Sequence, residues 1–201
     1  INGGAHPKTV DTYGEFEGAD FPYVVANVVK EATGELILPP YVIKEVDGVK
    51  MGFIGVVTTE TPKIVTASGV AGVKFTDETV AINKYAAELK GNGIEAIVVL
   101  AHNPGTSAAD GSNPTGNIVD IANAVDDEVD VIFAAHDHRY LNSTVDGKLL
   151  VQSYSYGTAL SDVDLTIDPI TQDIVTKSAE IVSTFQNSEH LDAKIKAELD
   201  A

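Results

Sequence analysis

The sequence predicts a single α/β domain that is built on a mixed sheet with at least one βαβ unit. Its 201 residues are 44% hydrophobic, which is too apolar for a disordered chain despite a formal net charge of −17. Two runs rich in β-branched residues, 94–101 and 129–135, match strands that are buried on both faces of a parallel sheet. Between them lies an amphipathic helix pattern with Ile118, Ile121 and Val125 on one face.

Apolar runs bounded by Gly, Pro, Asn or Asp define the strands along the rest of the chain. In chain order the predicted strands cover residues 21–29, 36–46, 49–57, 94–101, 129–135, 143–145, 149–153, 162–167 and 174–183. Pro39-Pro40 interrupts the second strand, and Asp47-Gly48 and Asp146-Gly147 mark hairpin turns. The strands after residue 142 are predicted to be antiparallel, and residues 1–20 and 58–72 are predicted to be loops.

Two further helices are predicted from caps and spacing. Thr76 is the predicted N-cap of the first, because the acids that follow it suit the positive helix end, and Gly91 and Gly93 end this helix. Ser188 is the predicted N-cap of the last helix. The apolar residues of that last helix, at i, i+4 and i+8, are Leu191, Ile195 and Leu199.

Composition excludes several classes of function. With 13 Lys+Arg against 30 Asp+Glu, the chain has no basic stripe for nucleic acid or for an anionic membrane surface. The lack of Cys excludes a disulfide framework, a thiolate-zinc site and a Cys nucleophile. No apolar run is long enough to span a membrane, and no Gly-x-Gly-x-x-Gly or Gly-x-Ser-x-Gly motif occurs. A small anionic substrate stays compatible with this charge if a bound metal reverses the local field.

Three of the five histidines lie where chemistry is expected. His102 and His136 each follow a predicted buried strand, and the carboxyl ends of parallel strands share one rim of the sheet, where ligands bind. His138 follows His136 by two residues, so an extended backbone would direct both rings to one face. Neutral imidazole is a common ligand for Zn, Mn, Fe, Co and Ni. His6 and His190 are interpreted as surface residues.

For the His-x-His pair alone, a purely structural role is as well supported as a role in metal binding. A histidine at a strand end is more often a satisfied polar group than a ligand, and the His-x-His spacing leaves both interpretations open until His102 is added to it. Asp110 is a minor candidate for contacting a metal-bound water. The acidic run of residues 126–130 is interpreted as a solvated face rather than a calcium site, because it lacks an Asp-x-Asp-x-Asp-Gly loop.

Short strings between residues 21 and 167 resemble, in order, the signatures of one family. They are Ala26-Asn27-Val28, residues 48–55 (GVKMGFIG), residues 58–62 (TTETP), residues 99–102 (VLAH), residues 134–138 (AAHDH) and Ser155-Tyr156-Gly157. The family is that of the bacterial 5′-nucleotidases and 2′,3′-cyclic-nucleotide phosphodiesterases, within the calcineurin-like metallophosphoesterases. The resemblance implies part of a β-sandwich flanked by helices.

The resemblance also implies the chemistry of the site. His102 and His136 would bind one divalent metal and His138 a second, with Zn, Mn, Fe, Co or Ni as candidates. The pair of metals would polarise a phosphate and hold a hydroxide for in-line attack on phosphorus. The expected substrate is a nucleotide or other small phosphoester and not a nucleic-acid polymer, with no membrane insertion. The expected location is extracellular, periplasmic or cell-wall attached.

Departures from the family pattern carry a further expectation. The Asp-x-His, Gly-Asp and Gly-Asn-His-Glu motifs, which supply the bridging Asp, an Asn ligand and a further His, do not occur. The C-terminal nucleoside-binding domain is also missing, and the chain starts at Ile1 rather than Met. Residues 1–201 are therefore expected to be one domain, the second half of a catalytic domain. Alone it would be inactive and would bind metal weakly, because it has three of the expected ligands and no bridging carboxylate. Its expected partner is the missing N-terminal half of the same domain. Ala135 replaces a family Gly, which is tolerated if φ is negative.

The sequence leaves two rival functions open. One is a non-catalytic α/β binding module that kept the fold and lost catalysis. The second is a hydrolase, complete in itself, with one metal on the three histidines.

Overall fold

The structure is a computed structural model that describes residues 9–11, 14–16, 19, 21–185 and 192–200. Its strands are β1 (Thr9–Asp11), β2 (Gly14–Phe16), β3 (Val28–Lys30), β4 (Tyr41–Val46), β5 (Val49–Val57), β6 (Val73–Phe75), β7 (Ala96–His102), β8 (Val131–Phe133), β9 (Tyr140–Val145), β10 (Lys148–Ser153), β11 (Ala159–Ile167) and β12 (Ile174–Ser183). Its helices are α1 (Thr61–Ile64), α2 (Glu78–Gly91), α3 (Asn117–Ala124) and α4 (Ala193–Leu199), with a 3₁₀ turn at Ala67–Val70.

Six strands form one mixed sheet in the order β4-β5-β7-β8-β10-β9. The four central strands are parallel to one another, and β4 and β9 pair antiparallel at the two edges. Because α2 connects β5 to β7 and α3 connects β7 to β8, two βαβ units follow one another. The predicted α/β class and the predicted βαβ unit are confirmed.

β7 separates two apolar layers. Ile97 and Val99 face the cluster that contains the apolar residues of α2 and α3, whereas Ala96 and Val98 face the cluster that includes the antiparallel β11–β12 ribbon. Side chains alternate along a strand, so a strand that is covered on both faces must be apolar at every position. Leu100, next on the ribbon face, is 41% exposed, which places the end of β7 outside this core.

Both predicted hairpin turns are present. Asp47 and Gly48 join β4 to β5 with φ of 50° and 84°, and Asp146 and Gly147 join β9 to β10 with φ of 47° and 75°. Two consecutive residues with positive φ are typical of the type I′ turn, which Asp-Gly favours. The strands after residue 142 pair antiparallel with one another as predicted, β9 with β10 and β11 with β12, and β10 also pairs in parallel with the earlier strand β8.

Element boundaries differ from the predictions for local reasons. The predicted strand 36–46 begins only at Tyr41, because Pro39 and Pro40 have no N–H to donate to a ladder. Of residues 21–29, only Val28 and Val29 lie in a strand. The predicted loop 58–72 contains α1 and the 3₁₀ turn.

Asp77, not Thr76, caps α2. The Asp77 side chain accepts a hydrogen bond from Val80 N at 2.9 Å. The Thr76 hydroxyl instead donates to the carbonyl of Asn27 at 3.0 Å, and the buried Asn27 amide spans the end of β5 and Thr76. Because the Thr76 hydroxyl is engaged in this long-range hydrogen bond, it does not cap the helix.

Asp130 corrects the prediction that the acidic run is a solvated face. Its carboxylate is buried, accepts from Ile97 N at 3.1 Å and from Lys177 Nζ at 3.0 Å, and burial raises its pKa. Asp127, in contrast, is exposed and pairs with the buried Lys148, and Glu128 pairs with the exposed Lys90. Asp130 therefore fastens the start of β8 to β7 and to the ribbon.

The remaining sequence predictions fall at the ends of the chain. α4 overlaps the predicted last helix, whereas Ser188, Leu191, His190 and His6 lie outside the described residues. Among the helices that the structure describes, none has the length and apolar character needed to cross a membrane.

We predict that Gly55→Ala destabilises the domain and that Gly91→Ala does not. A Cβ on Gly55 would lie 2.2 Å from the carbonyl oxygen of Val24, a backbone atom that cannot rotate away. Such overpacking costs about 1–3 kcal/mol in the free energy of unfolding. Nothing lies near a Cβ on Gly91 at the end of α2, so alanine there stabilises by about 0.5–1 kcal/mol. Urea unfolding of both variants measures the difference, and equal stabilities would contradict the prediction.

Candidate metal centre

His102 and His136 meet at the carboxyl end of the parallel strands. His102 is the last residue of β7, and His136 follows β8, its parallel neighbour. Nε2 of His102 lies 3.2 Å from Nδ1 of His136, and the two rings meet edge to face with centroids 5.1 Å apart. The predicted meeting of the two imidazoles on one rim is thus present in the structure.

His138 does not join this pair in a three-residue metal-binding group among the described residues. His136 has φ of 92° and His138 has φ of 59°, so the prediction of an extended backbone between the two residues is wrong. The ring of His138 lies against that of Tyr156, with centroids 5.9 Å apart. Ala135 has no positive φ, so the absence of the family Gly costs nothing there. The strain falls instead on His136, whose φ is unfavourable for any residue with a Cβ.

A buried polar network, which the sequence did not reveal, holds the residue that follows His102. The Asn103 side chain is fully buried and donates to Glu78 Oε1 at 3.0 Å and to Asn117 Oδ1 at 2.7 Å. Glu78 Oε1 also accepts from Thr59 N at 2.8 Å. The Asn103 carbonyl accepts from Ala135 N at 3.2 Å and so joins the two histidine loops. From the sequence, Glu78 has only the role of an acid at a helix start, because its partners lie far along the chain.

The electrostatic environment favours a neutral His102. Partial withdrawal from solvent lowers its pKa, and the positive charges that His136 and His138 can carry lower the pKa further. A neutral imidazole offers a nitrogen lone pair to a metal, whereas a protonated one does not. Asp110 does not join this group, because its carboxylate accepts from Ser112 N in a loop that borders a separate polar cleft with Asn142 and Lys177.

The histidine pair fits one divalent metal. Two imidazole nitrogens bound at 2.0–2.1 Å to one tetrahedral ion lie about 3.3 Å apart, close to the measured 3.2 Å between these nitrogens. Within the described ranges, no three His, Asp or Glu side chains lie close enough to hold an ion. Two buried side-chain oxygens beside the histidine loops, Asn103 Oδ1 and Gln152 Oε1, also have no hydrogen-bond partner. Among the described residues, the histidine pair alone is therefore not a complete ligand set.

An open, mainly apolar cavity of about 740 Å³ borders His102. His102 and Val57 line it at the sheet end, and Tyr23, Val28 and Phe75 line it elsewhere. Exposed apolar side chains surround it, among them Val65, which is 44% exposed.

We predict that the His102 imidazole titrates below the ordinary histidine pKa of 6.5. Because the folded-state pKa is lowered, the unfolded state takes up this proton first. The free energy of unfolding then falls as pH decreases below 6.5 and levels off below the folded-state pKa. An NMR titration of the ring protons measures the midpoint, and His136→Gln should raise it by removing a neighbouring positive charge. A midpoint at or above 6.5 in the metal-free protein would contradict the prediction.

We also predict that Asn103→Leu destabilises the domain, because the substitution takes a donor from the buried Glu78 carboxylate. Leaving such a group short of a partner costs about 1–3 kcal/mol. Asn123→Leu is the matched control, since the Asn123 amide bonds only the Val119 carbonyl on the exposed side of α3. Urea unfolding compares the two, and a loss no larger in Asn103→Leu than in the control would count against the network.

No protein-family profile matches the chain. Among curated proteins it is 47% identical over 197 residues to endonuclease YhcR of Bacillus subtilis, covering 98% of this chain and 16% of that protein. It is 42% identical over 170 residues to cell wall protein Lmo0130 of Listeria monocytogenes, covering 79% of this chain and 22% of that protein. It is 34% identical over 130 residues to a 2′,3′-cyclic-nucleotide 2′-phosphodiesterase/3′-nucleotidase of Salmonella typhimurium, covering 60% and 20%. The chain thus spans less than a quarter of each of these relatives.

Solved structures agree in fold. A Staphylococcus aureus protein, named as a putative 5′-nucleotidase, superposes with a TM-score of 0.74 at 19% identity, over 90% of this chain and 36% of that one. The calcineurin-like phosphoesterase YfkN from Bacillus subtilis superposes with a TM-score of 0.68 at 27% identity, over 83% and 57%. The chain is therefore a homologue, in sequence and in fold, of bacterial 5′-nucleotidases and 2′,3′-cyclic-nucleotide phosphodiesterases, and it shares the fold of a calcineurin-like phosphoesterase.

Proposed function

We propose that the chain is part of a metal-dependent phosphoester hydrolase that acts on nucleotides. The observation that carries the proposal is the contact between His102 and His136, whose facing nitrogens are 3.2 Å apart at the carboxyl ends of two parallel strands. We assign these two imidazoles to one divalent metal and His138 to a second. The candidates for both metals are Zn, Mn, Fe, Co and Ni.

The residues of this chain have a defined role in that chemistry. His102 and His136 present nitrogen lone pairs to one position, and the lowered pKa of His102 keeps its lone pair free at neutral pH. Neutral imidazoles add no negative charge where a phosphate must approach a chain of net charge −17. The chemistry that such a centre supplies when loaded is polarisation of the phosphate and activation of water for in-line attack on phosphorus.

We further propose that these residues are the second half of a catalytic domain, whose N-terminal half supplies the carboxylate ligands. The incomplete ligand set among the described residues supports this, as does the small fraction of each relative that the chain covers. The apolar cavity that borders His102 is the surface on which we place that half. We propose an extracellular, periplasmic or cell-wall location, for which the name of the Listeria relative is the support.

A second candidate substrate is a polynucleotide. One relative, 47% identical, carries the name endonuclease. The excess of acidic over basic residues disfavours a polyanionic strand and favours a small phosphoester, which remains our first choice. A non-catalytic binding module and a complete one-metal hydrolase are the competing functions, and activity measurements on the chain and on its parent protein distinguish them.

We predict that the 201-residue chain alone hydrolyses little p-nitrophenyl phosphate with added Mn²⁺ or Co²⁺, because among its described residues no carboxylate joins the histidines to form a metal-binding group. The full-length parent protein should hydrolyse it, and His136→Ala in that parent should remove the activity by removing a ligand of one metal. Robust turnover by the isolated chain that His136→Ala abolishes would instead support the complete one-metal hydrolase.

The parent protein also separates the substrate classes. Nucleoside monophosphates, 2′,3′-cyclic nucleotides and single-stranded DNA are compared at equal phosphoester concentration, with phosphate release and strand cleavage as readouts. Preference for the small esters supports the first choice, and preference for DNA supports the polynucleotide substrate. A parent that hydrolyses none of them with any of the candidate metals would be the non-catalytic module.

A further inference from the structure

Gln152 is a buried amide that follows the three apolar residues of β10. It lies near the end of β10 after Leu149, Leu150 and Val151, and it is 3% exposed. A buried amide is unfavourable unless it is hydrogen-bonded, so its presence on a strand that needs apolar side chains calls for a specific partner. β10 is the parallel neighbour of β8, and Gln152 therefore lies beside the chain that leaves β8 towards His136.

The amide of Gln152 connects both histidine loops. Its Nε2 donates to the Gly105 carbonyl at 2.9 Å, to Asp137 Oδ1 at 2.8 Å and to the Arg139 carbonyl at 3.0 Å. Gly105 follows His102 in the loop after β7, whereas Asp137 and Arg139 flank His138. An amide group has only two hydrogens, so at least one of them is shared between two of these three acceptors.

The loop that Gln152 holds is strained. His136 and His138 have φ of 92° and 59°, and neither is a glycine. Residues in such conformations persist only where the surrounding structure over-determines them. Asp137, between the two, is fixed by its side chain to Gln152, and the Arg139 carbonyl after them is fixed to the same nitrogen. One buried side chain, that of Gln152, thus restrains the loop that contains the strained residues.

We propose that Gln152 is a positioning residue that fixes the conformation of residues 136–138 and so sets where the imidazoles of His136 and His138 lie. Its role in metal binding rests on the function proposed above, whereas its hold on the loop does not. The hydrogen bonds of Gln152 go to neighbours of the imidazoles rather than to the rings themselves. It acts through the Asp137 carboxylate and the Arg139 carbonyl, and its bond to Gly105 keeps this loop in register with the one that follows His102.

The test substitutes Gln152→Met, which keeps the length of the side chain and removes its hydrogen bonds. In the metal-free protein, the amide signals of residues 135–139 should shift, and the coupling constants of His136 should report a φ that has left its positive value. The affinity for Zn²⁺, measured by competition with a chromogenic chelator, should fall about 10-fold to 100-fold, which is the range for outer-shell partners of metal ligands. The absorption spectrum of the Co²⁺ form should change with it.

Asn142→Leu is the matched control. Asn142 lies on the neighbouring strand β9 and donates from its amide to the Ala179 carbonyl at 2.7 Å, on the ribbon rather than in a histidine loop. Its loss should lower stability in urea, while the amide signals of residues 135–139 stay unshifted. The Zn²⁺ affinity should stay within about twofold of that of the unsubstituted chain, well short of the range for outer-shell partners. Gln152→Asn, which keeps the amide but withdraws it by one methylene, replaces Gln152→Met if that variant does not fold, with the same expected shifts.

The outcomes separate the two proposals. If a folded Gln152 variant keeps the positive φ of His136 and the signals of residues 135–139, Gln152 does not position the loop and the inference is overturned. If the loop moves in the variant but the unsubstituted chain and its parent bind no Zn²⁺, Mn²⁺ or Co²⁺, the hold on the loop stands and the proposed metal function fails. If the control shifts the loop as much as Gln152→Met does, the effect is general loosening and the inference is overturned.

Discussion

The parallel pairing of β7 with β8 is the constraint on which the rest of the site depends. Val98 lies opposite Val131 and Leu100 opposite Phe133, so β7 and β8 end at nearly the same position along the strand direction. Because parallel strands end on one rim, residues 34 positions apart are brought within hydrogen-bond distance at their ring nitrogens. A slip of one residue would turn the side chains of one strand to the opposite face and separate the imidazoles.

Buried polar groups, rather than further apolar packing, hold this rim. Glu78, Asn103 and Gln152 are each nearly withdrawn from solvent, and their hydrogen bonds tie the chain after β5, the chain after β7 and the chain after β8 to one another. Partners of this kind are directional, so they specify one arrangement where apolar contacts would accept several. The unpaired oxygens of Asn103 and Gln152 show that this network is not closed among the described residues.

Local patterns predicted the elements well and the boundaries less well. The Asp-Gly turns, the strand at β7 and the two helices next to it follow from short-range preferences, and His102 could be placed because a strand end is readable from its neighbours. The Thr76 cap failed because Asn27, distant along the chain, takes its hydroxyl, and the solvated interpretation of Asp130 failed because Lys177 and Ile97 N surround it. In each failure, a long-range hydrogen bond overrode a local preference.

The sequence by itself determined the α/β class and the βαβ unit that joins the strands ending before His102 and His136, and it singled out three candidate histidines, because hydrophobic period and strand-end position are local properties of a chain. Only the tertiary structure decided that His102 and His136 touch while His138 turns to Tyr156, and that Gln152 holds the loop between them. A positive φ at a non-glycine residue and a buried amide's choice of acceptors arise from contacts between distant segments. The spacing of His-x-His cannot reveal them.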